Sequence, residues 1–151
     1  MSGFTVDPGG LDGVLLHLQQ LGAEARTRLA AAVEGEAMKL VAYIKTDKLS
    51  GQVLNQRSTR LVKSIHAEMT GGGDDIIATV GTNVEYAAIH EYGGVIVPKV
   101  AKSLRFVIGG KEIHAKKVTM PERSFLRSGL SDRAQEIRAA LAAAVAGVPT
   151  A

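Results

Sequence analysis

The sequence predicts an α+β domain, on three observations. Apolar residues recur every three or four positions from Leu11 to Ile44, they alternate in short runs between Leu61 and Thr119, and a helical period returns from Leu130 to Val145. The expected architecture is a long N-terminal helix, an antiparallel sheet of four to five strands that includes a hairpin, and a C-terminal helix. A chain of 151 residues fits one such domain, and its 46% apolar and 22% charged composition suits a packed core. Residues 11–147 are assigned to that domain, with 1–10 as a flexible lead-in and 148–151 as a tail.

The lead-in ends in Asp7-Pro8-Gly9-Gly10, a turn-forming run. Leu11, Leu15, Leu18 and Leu21, then Ala25, Leu29, Val33, Ala37, Leu40 and Ile44, lie on one helical face, as one helix or two. Gly22 and Gly35 are the candidate breaks, since glycine costs a helix interior about 1 kcal/mol relative to alanine. Gly22 is the better break, and Gly35 reads as a place where a neighbour packs closely. Lys45 and Lys48 suit the negative helix end, and Ser50-Gly51 supplies a stop. Residues 52–60 show neither period and read as an exposed loop with Arg57 and Arg60.

Leu61 to Met69 alternates and reads as a strand; Gly71-Gly72-Gly73-Asp74-Asp75 is a turn, and Ile76 to Val80 a returning strand. The period then lengthens through Tyr86, Ile89 and Tyr92, which predicts one or two helical turns closed by Gly93-Gly94. Pro98 keeps any strand at Val95–Val97 short or at an edge. Leu104, Phe106 and Ile108, the turn Gly109-Gly110 and the alternating run Lys111–Thr119 form the hairpin. Ser131 and Asp132, with Glu136 following, offer a cap for the last helix, whose inner face is Leu130, Ala134, Ile137, Leu141 and Val145.

The span Tyr86–Leu126 holds four of the six aromatic residues, so the core is expected to be nucleated there by Tyr86, Ile89, Tyr92, Phe106 and Phe125. It also carries the charge. Lys99, Lys102, Arg105, Lys111, Lys116, Lys117, Arg123 and Arg127 face only Glu112 and Glu122 in sequence, a net +6 in a chain of formal charge +3. Between Asp74 and Glu91 there are four acids and no lysine or arginine. A basic band can neutralise phosphates, or a basic and an acidic face can pair between copies of the chain, or both can be solvated loops.

Catalytic chemistry is not expected. Cysteine is absent, which removes disulfides, thiolate ligands and a cysteine nucleophile. Gly71–Gly73 has neither a following lysine nor a helix start, so it is no phosphate cradle. His90-Glu91 lacks a second histidine at metal-ligand spacing and reads as a structural pair. No cofactor or metal is implied, and no apolar run is long enough to span a bilayer. The N-terminus lacks a signal-peptide pattern, which predicts synthesis and use in the cytosol.

Several segments, in order over residues 49–130, carry a resemblance: Leu49-Ser50-Gly51-Gln52-Val53-Leu54-Asn55 with Arg57 and Arg60-Leu61, then Tyr86-Ala87-Ala88-Ile89-His90-Glu91-Tyr92-Gly93-Gly94, Pro98-Lys99, Leu104–Ile108 into Gly109-Gly110, and Met120-Pro121-Glu122-Arg123-Ser124-Phe125-Leu126. Together they resemble the virion morphogenesis or tail-completion proteins of tailed bacteriophages. The chain departs from that pattern at Ser58-Thr59, where the family has a glycine before the second arginine, and at Glu122 and Ser124, where the family reads Pro-Ala-Arg-Pro-Phe-Leu.

The resemblance implies a structural protein of the phage neck or tail top, a copy in a sixfold ring that completes the tail and joins it to the head around the DNA channel. Its partners would be other copies, the head-tail connector and the tail-tube proteins, with DNA in passage and no membrane. On charge, Arg105, Lys111, Lys116 and Lys117 of one copy are expected to meet Asp74, Asp75 and Glu85 of the next, although the same lysines could face the channel. Asn55, Arg57, Arg60, Gly109 and Gly110 are the expected contacts with neighbouring neck or tube proteins. Two other classes stand beside this one: a DNA-binding module using Lys99–Arg127, and a small cytosolic enzyme, for which no residue pattern speaks.

Overall fold

The computed structural model describes residues 22–52, 59–71 and 75–146. Expectations for the lead-in, for Leu11 to Leu21, for Asn55, Arg57 and Asp74, and for the tail lie outside the described residues. Helix α1 spans Ala23–Tyr43. Gly22 precedes it in extended conformation (ψ 167°) and so marks the helix start. An alanine-rich stretch favours the helix, and Ala25, Leu29, Ala37, Leu40 and Val41 form its buried face. From Ile44 to Gln52 the chain continues in widened, π-type turns that break at Gly51, where φ is +118°. Gly35 is not a close-packing point: a Cβ placed there meets nothing within 4 Å.

Helix α2, Thr59–Ser64, replaces the first half of the expected strand, and Arg60 therefore lies on an exposed helical turn. The reason is in the spacing. Leu61 and Ile65, both buried, are four apart, a separation that satisfies a helix as well as an alternation. Strand β1, His66–Thr70, pairs antiparallel with β2, Ile77–Gly81, and the ladder packs on α1. Helix α3, Ala87–Tyr92, follows as expected. Strand β3, Gly94–Ile96, pairs with β6, Val118–Met120, while β4, Leu104–Ile108, and β5, Lys111–Ala115, form a ribbon nested between them. The strands are antiparallel but form three two-stranded ladders instead of one sheet. Pro98 has no N–H to donate, so the β3 ladder ends at Ile96 and cannot run on into the ribbon.

Helix α4 spans Leu126–Val145 and packs along α1. It begins five residues before the expected cap at Ser131 and Asp132. Asp132 instead accepts from Tyr43 Oη (2.9 Å) and pairs with Lys48 Nζ (2.6 Å), binding α4 to the π-type turns. These contacts hold the Asp132 carboxyl below its usual range, the Lys48 bond contributing most.

The main core joins Leu40, Val41, Ile44, Leu49, Leu61, Ile65, Val84, Ala87, Phe125 and Leu126. A second cluster, at the far ends of α1 and α4, is built on Leu29 and Leu141. The expected aromatic core is thereby corrected. Phe125 is fully buried, but Ile89 and Phe106 are half-buried, and Tyr86 and Tyr92 are 37% and 46% exposed. Aliphatic side chains, most of them from five helical segments, fill the interior, with a large one worth roughly 1.5–3 kcal/mol when fully buried. The tyrosines serve at its edge, Tyr92 under the Arg127 guanidinium at 4.6 Å and Tyr86 edge-on to His90.

Two glycine substitutions should move stability in opposite directions. Gly35→Ala removes a helix-interior glycine in open space and is expected to raise stability by about 1 kcal/mol. Gly93→Ala should destabilise, because φ is +69° and the Cβ would lie 2.7 Å from the Glu122 nitrogen and 2.9 Å from the Met120 oxygen. Thermal melts of the two variants against the parent check both signs.

Candidate assembly arm and the carboxylate at its root

Everything from Gly94 to Met120 leaves the helical body at one place and returns there, so the geometry of that root comes first. Among the described residues, Glu91, the penultimate residue of α3, is a fully buried acid. Its Oε2 accepts the backbone N–H groups of Phe125 (2.8 Å) and Leu126 (2.9 Å). Its Oε1 accepts the N–H of Arg127 (3.0 Å), the Ser124 hydroxyl (2.8 Å) and Arg127 Nε (3.1 Å). Ser124 Oγ in turn accepts the N–H of Ser128. The N–H groups that open helix α4 are orphans of any α-helix, and here each has a partner. Ser124, one of the departures from the family pattern, completes the set.

Burial by itself would push the Glu91 carboxyl up; the backbone donors of Arg127, Leu126 and Phe125 and the Ser124 hydroxyl outweigh it and hold the group below the ordinary carboxylate range. The positive end of the helix dipole acts in the same sense. Next to it, His90 is half-buried and shifted down, first by burial and then by the nearby Arg123. The backbone N–H of Arg123 donates to the His90 carbonyl (2.8 Å), and Arg127 Nη2 donates to the Glu91 carbonyl. The Glu91 side chain is thus bound into the start of α4, whereas the His90 ring, edge-on to Tyr86, has a buried Nδ1 without a hydrogen-bond partner among the described residues. Among the described residues no group of three or more His, Asp or Glu side chains could hold a metal, and no helix is long and apolar enough to cross a membrane.

The arm beyond this root is exposed. Val95, Val97 and Val100 stand out in solvent, Val100 completely. In the ribbon the register places Leu104 opposite Ala115, Phe106 opposite Ile113 and Ile108 opposite Lys111. The two-residue turn has Gly109 at φ +56° and Gly110 at φ +79°, as a type I′ turn requires. The other face carries Arg105, Val107, Glu112 and His114, with Glu112 ion-paired to Arg105 Nε (2.9 Å) and lying 2.8 Å from His114 Nε2.

Of the charged residues expected at a subunit interface, Arg105, Lys111, Lys116, Lys117, Asp75 and Glu85 are among the described residues, and all six are exposed. Arg105 is paired within the ribbon, while Lys111, Lys116 and Lys117 are exposed and, among the described residues, have no acidic partner. Asp75, just before β2, and Glu85, just after it, are exposed and likewise have no cation among the described residues. Among the described residues, the two sets do not meet within one subunit. What sequence reasoning missed is the apolar exposure. The alternation Leu104, Phe106, Ile108 was legible as a packing face, but nothing local shows that the described residues supply no full cover for it.

A model of the phage virion morphogenesis family matches residues 19–146. The chain belongs to that family. No curated protein and no solved structure matches it. Membership in the virion morphogenesis family covers the helical body and the whole arm, and it gives the protein a structural role in building the phage virion.

The root predicts a distinct acid response. Because the folded Glu91 titrates below its unfolded value, its stabilisation is present at neutral pH and disappears as pH falls through the folded value. The lowered His90 acts in the same direction, from its ordinary range downward, since the unfolded chain takes up that proton more readily. Glu91→Ala leaves buried N–H groups unpaired and should cost at least about 3 kcal/mol. Glu91→Gln should cost less and flatten the acidic limb of stability, leaving the His90 and Asp132 parts. Thermal melts from pH 7 down to about pH 2 measure this; an unchanged acidic limb in Glu91→Gln would contradict it.

Proposed function

We propose that this family member is a structural subunit of the neck or tail top, assembling with copies of itself into a ring, sixfold by the family resemblance, that completes the tail and joins it to the head around the DNA channel. The observation that carries this reading is the charge division described above. Lys111, Lys116 and Lys117 on the arm, and Asp75 and Glu85 flanking β2, have no partner of opposite sign among the described residues of their own subunit. Two different complementary faces on one chain are what heterologous, cyclic closure needs, and opposite charge steers the encounter. The role is structural rather than catalytic. Its further partners would be the connector and tail-tube proteins, met at exposed Arg60 and the Gly109-Gly110 tip.

Light scattering across a concentration series, followed by negative-stain imaging, tests the ring. Closed rings are the expected species, and Lys116→Glu combined with Lys117→Glu should abolish them without altering the fold. Assembly that survives the double reversal would remove the charge pairing from the account. The eight basic residues from Lys99 to Arg127 against Glu112 and Glu122 also favour a second reading, duplex DNA binding. Binding to random duplex at physiological ionic strength that weakens steeply with added salt, together with a strictly monomeric protein, would support that reading.

A further inference from the structure

We infer that the apolar face of the β4–β5 ribbon seats on a second copy of the chain, against the outer face of that copy's β1–β2 ladder. The inference rests on the ring reading and names the surfaces that would build it.

The ribbon has one face tied by ion pairs, on which Val107 is exposed, and one that is mainly apolar. On the first, Glu112 is engaged by Arg105 and His114, and His114 Nδ1 lies 3.2 Å from Ser103 Oγ. On the other, Phe106 is half-buried, while Ile108 and Ile113 are 53% and 37% exposed. A two-stranded ribbon is marginally stable in water unless such a face is covered. The occupant of that face is constrained by charge. Arm-to-arm contact would set Lys111, Lys116 and Lys117 against their own copies, so an isologous pairing is disfavoured and the cover must be a different face of the second chain.

The β1–β2 ladder offers one. Ala67 and Val80 turn inward to the main core, which leaves the alternate residues, Glu68 on β1 with Ile77 and Thr79 on β2, on the outer side. Ile77 is 47% exposed, Glu68 and Asp75 are exposed, and neither acid has a cation among the described residues. On the ribbon an exposed isoleucine stands opposite a lysine, Ile108 with Lys111; on the ladder an exposed isoleucine follows an aspartate by two residues, Asp75 and Ile77. The two patches are matched in kind and opposite in sign.

Two experiments test the contact. Ile108→Glu with Ile113→Glu alters two exposed positions; circular dichroism and melting temperature should stay at parental values, and sedimentation should show monomers where the parent forms rings. Should the pair disturb folding, Ile108→Glu alone serves the same end. The chain has no cysteine, so Ile77→Cys and Ile113→Cys can be placed in one chain and treated with a short bismaleimide. A ladder of covalent multimers is expected from the double variant and none from either single one. Rings that persist in Ile108→Glu/Ile113→Glu, or covalent dimers from Ile113→Cys alone, would overturn this contact and leave the ring standing. A parent that is monomeric at every concentration would defeat the ring reading itself, and this contact with it.

Discussion

One buried carboxylate organises the molecule. A helix that starts inside a protein brings several unpaired N–H groups with it, and the usual remedy is a side chain at its own first position. The cap position of helix α4 is held by Phe125, whose ring is in the core and which has no hydroxyl or carboxylate to offer. The acceptor comes from Glu91, more than thirty residues earlier. Because Glu91 is also at the end of α3, the same bonds orient α3 against α4, place Phe125 in the main core and determine where the arm leaves the body. The charge can stay buried because its acceptor positions are filled: five hydrogen bonds from four residues reach its two oxygens.

The parts of the fold legible in the sequence were those whose cause is local. The period of α1 and α4, the turn at Gly109-Gly110, the short α3 and the stop at Gly51 each follow from neighbouring residues, and each is present. The parts that were not legible depend on contacts between distant segments. Ser131 and Asp132 looked like a cap because nothing nearby revealed Glu91, and Asp132 is occupied by Lys48 and Tyr43. Leu61 and Ile65 fit two periods, and their burial in one core with Leu40 and Val41 accompanies the helix. Aromatic residues were expected inside on size alone, but the close pairing of α1 with α4 is filled by aliphatic side chains, and the tyrosines sit where their rings meet a guanidinium or an imidazole.

For the site, charge could be read off directly and cover could not. A run of lysines without acids is visible in any sequence, and the structure leaves Lys111, Lys116 and Lys117 exposed as that run suggests. Whether an alternating apolar face meets its own subunit or solvent depends on which elements fold back over it. Here Pro98 and the three-residue strands β3 and β6 carry the ribbon away from the helices, so an ordinary hairpin pattern becomes a surface feature.

The nested layout has a consequence for cooperativity. The segment between Ile96 and Val118 is an excursion closed at its base by the β3–β6 ladder and, one step further in, by Glu91. Its internal bonds are short-range, and its loss would leave the α1–α4 pair and the β1–β2 ladder in place. Such a unit can open and reclose at a lower free energy than the body, as a separate foldon whose amides exchange faster than those of α1 and α4. Closure entropy rises only slowly with loop length. The excursion can therefore lengthen or shorten over generations without disturbing the helical body, which leaves a virion subunit free to adjust its reach while keeping its frame.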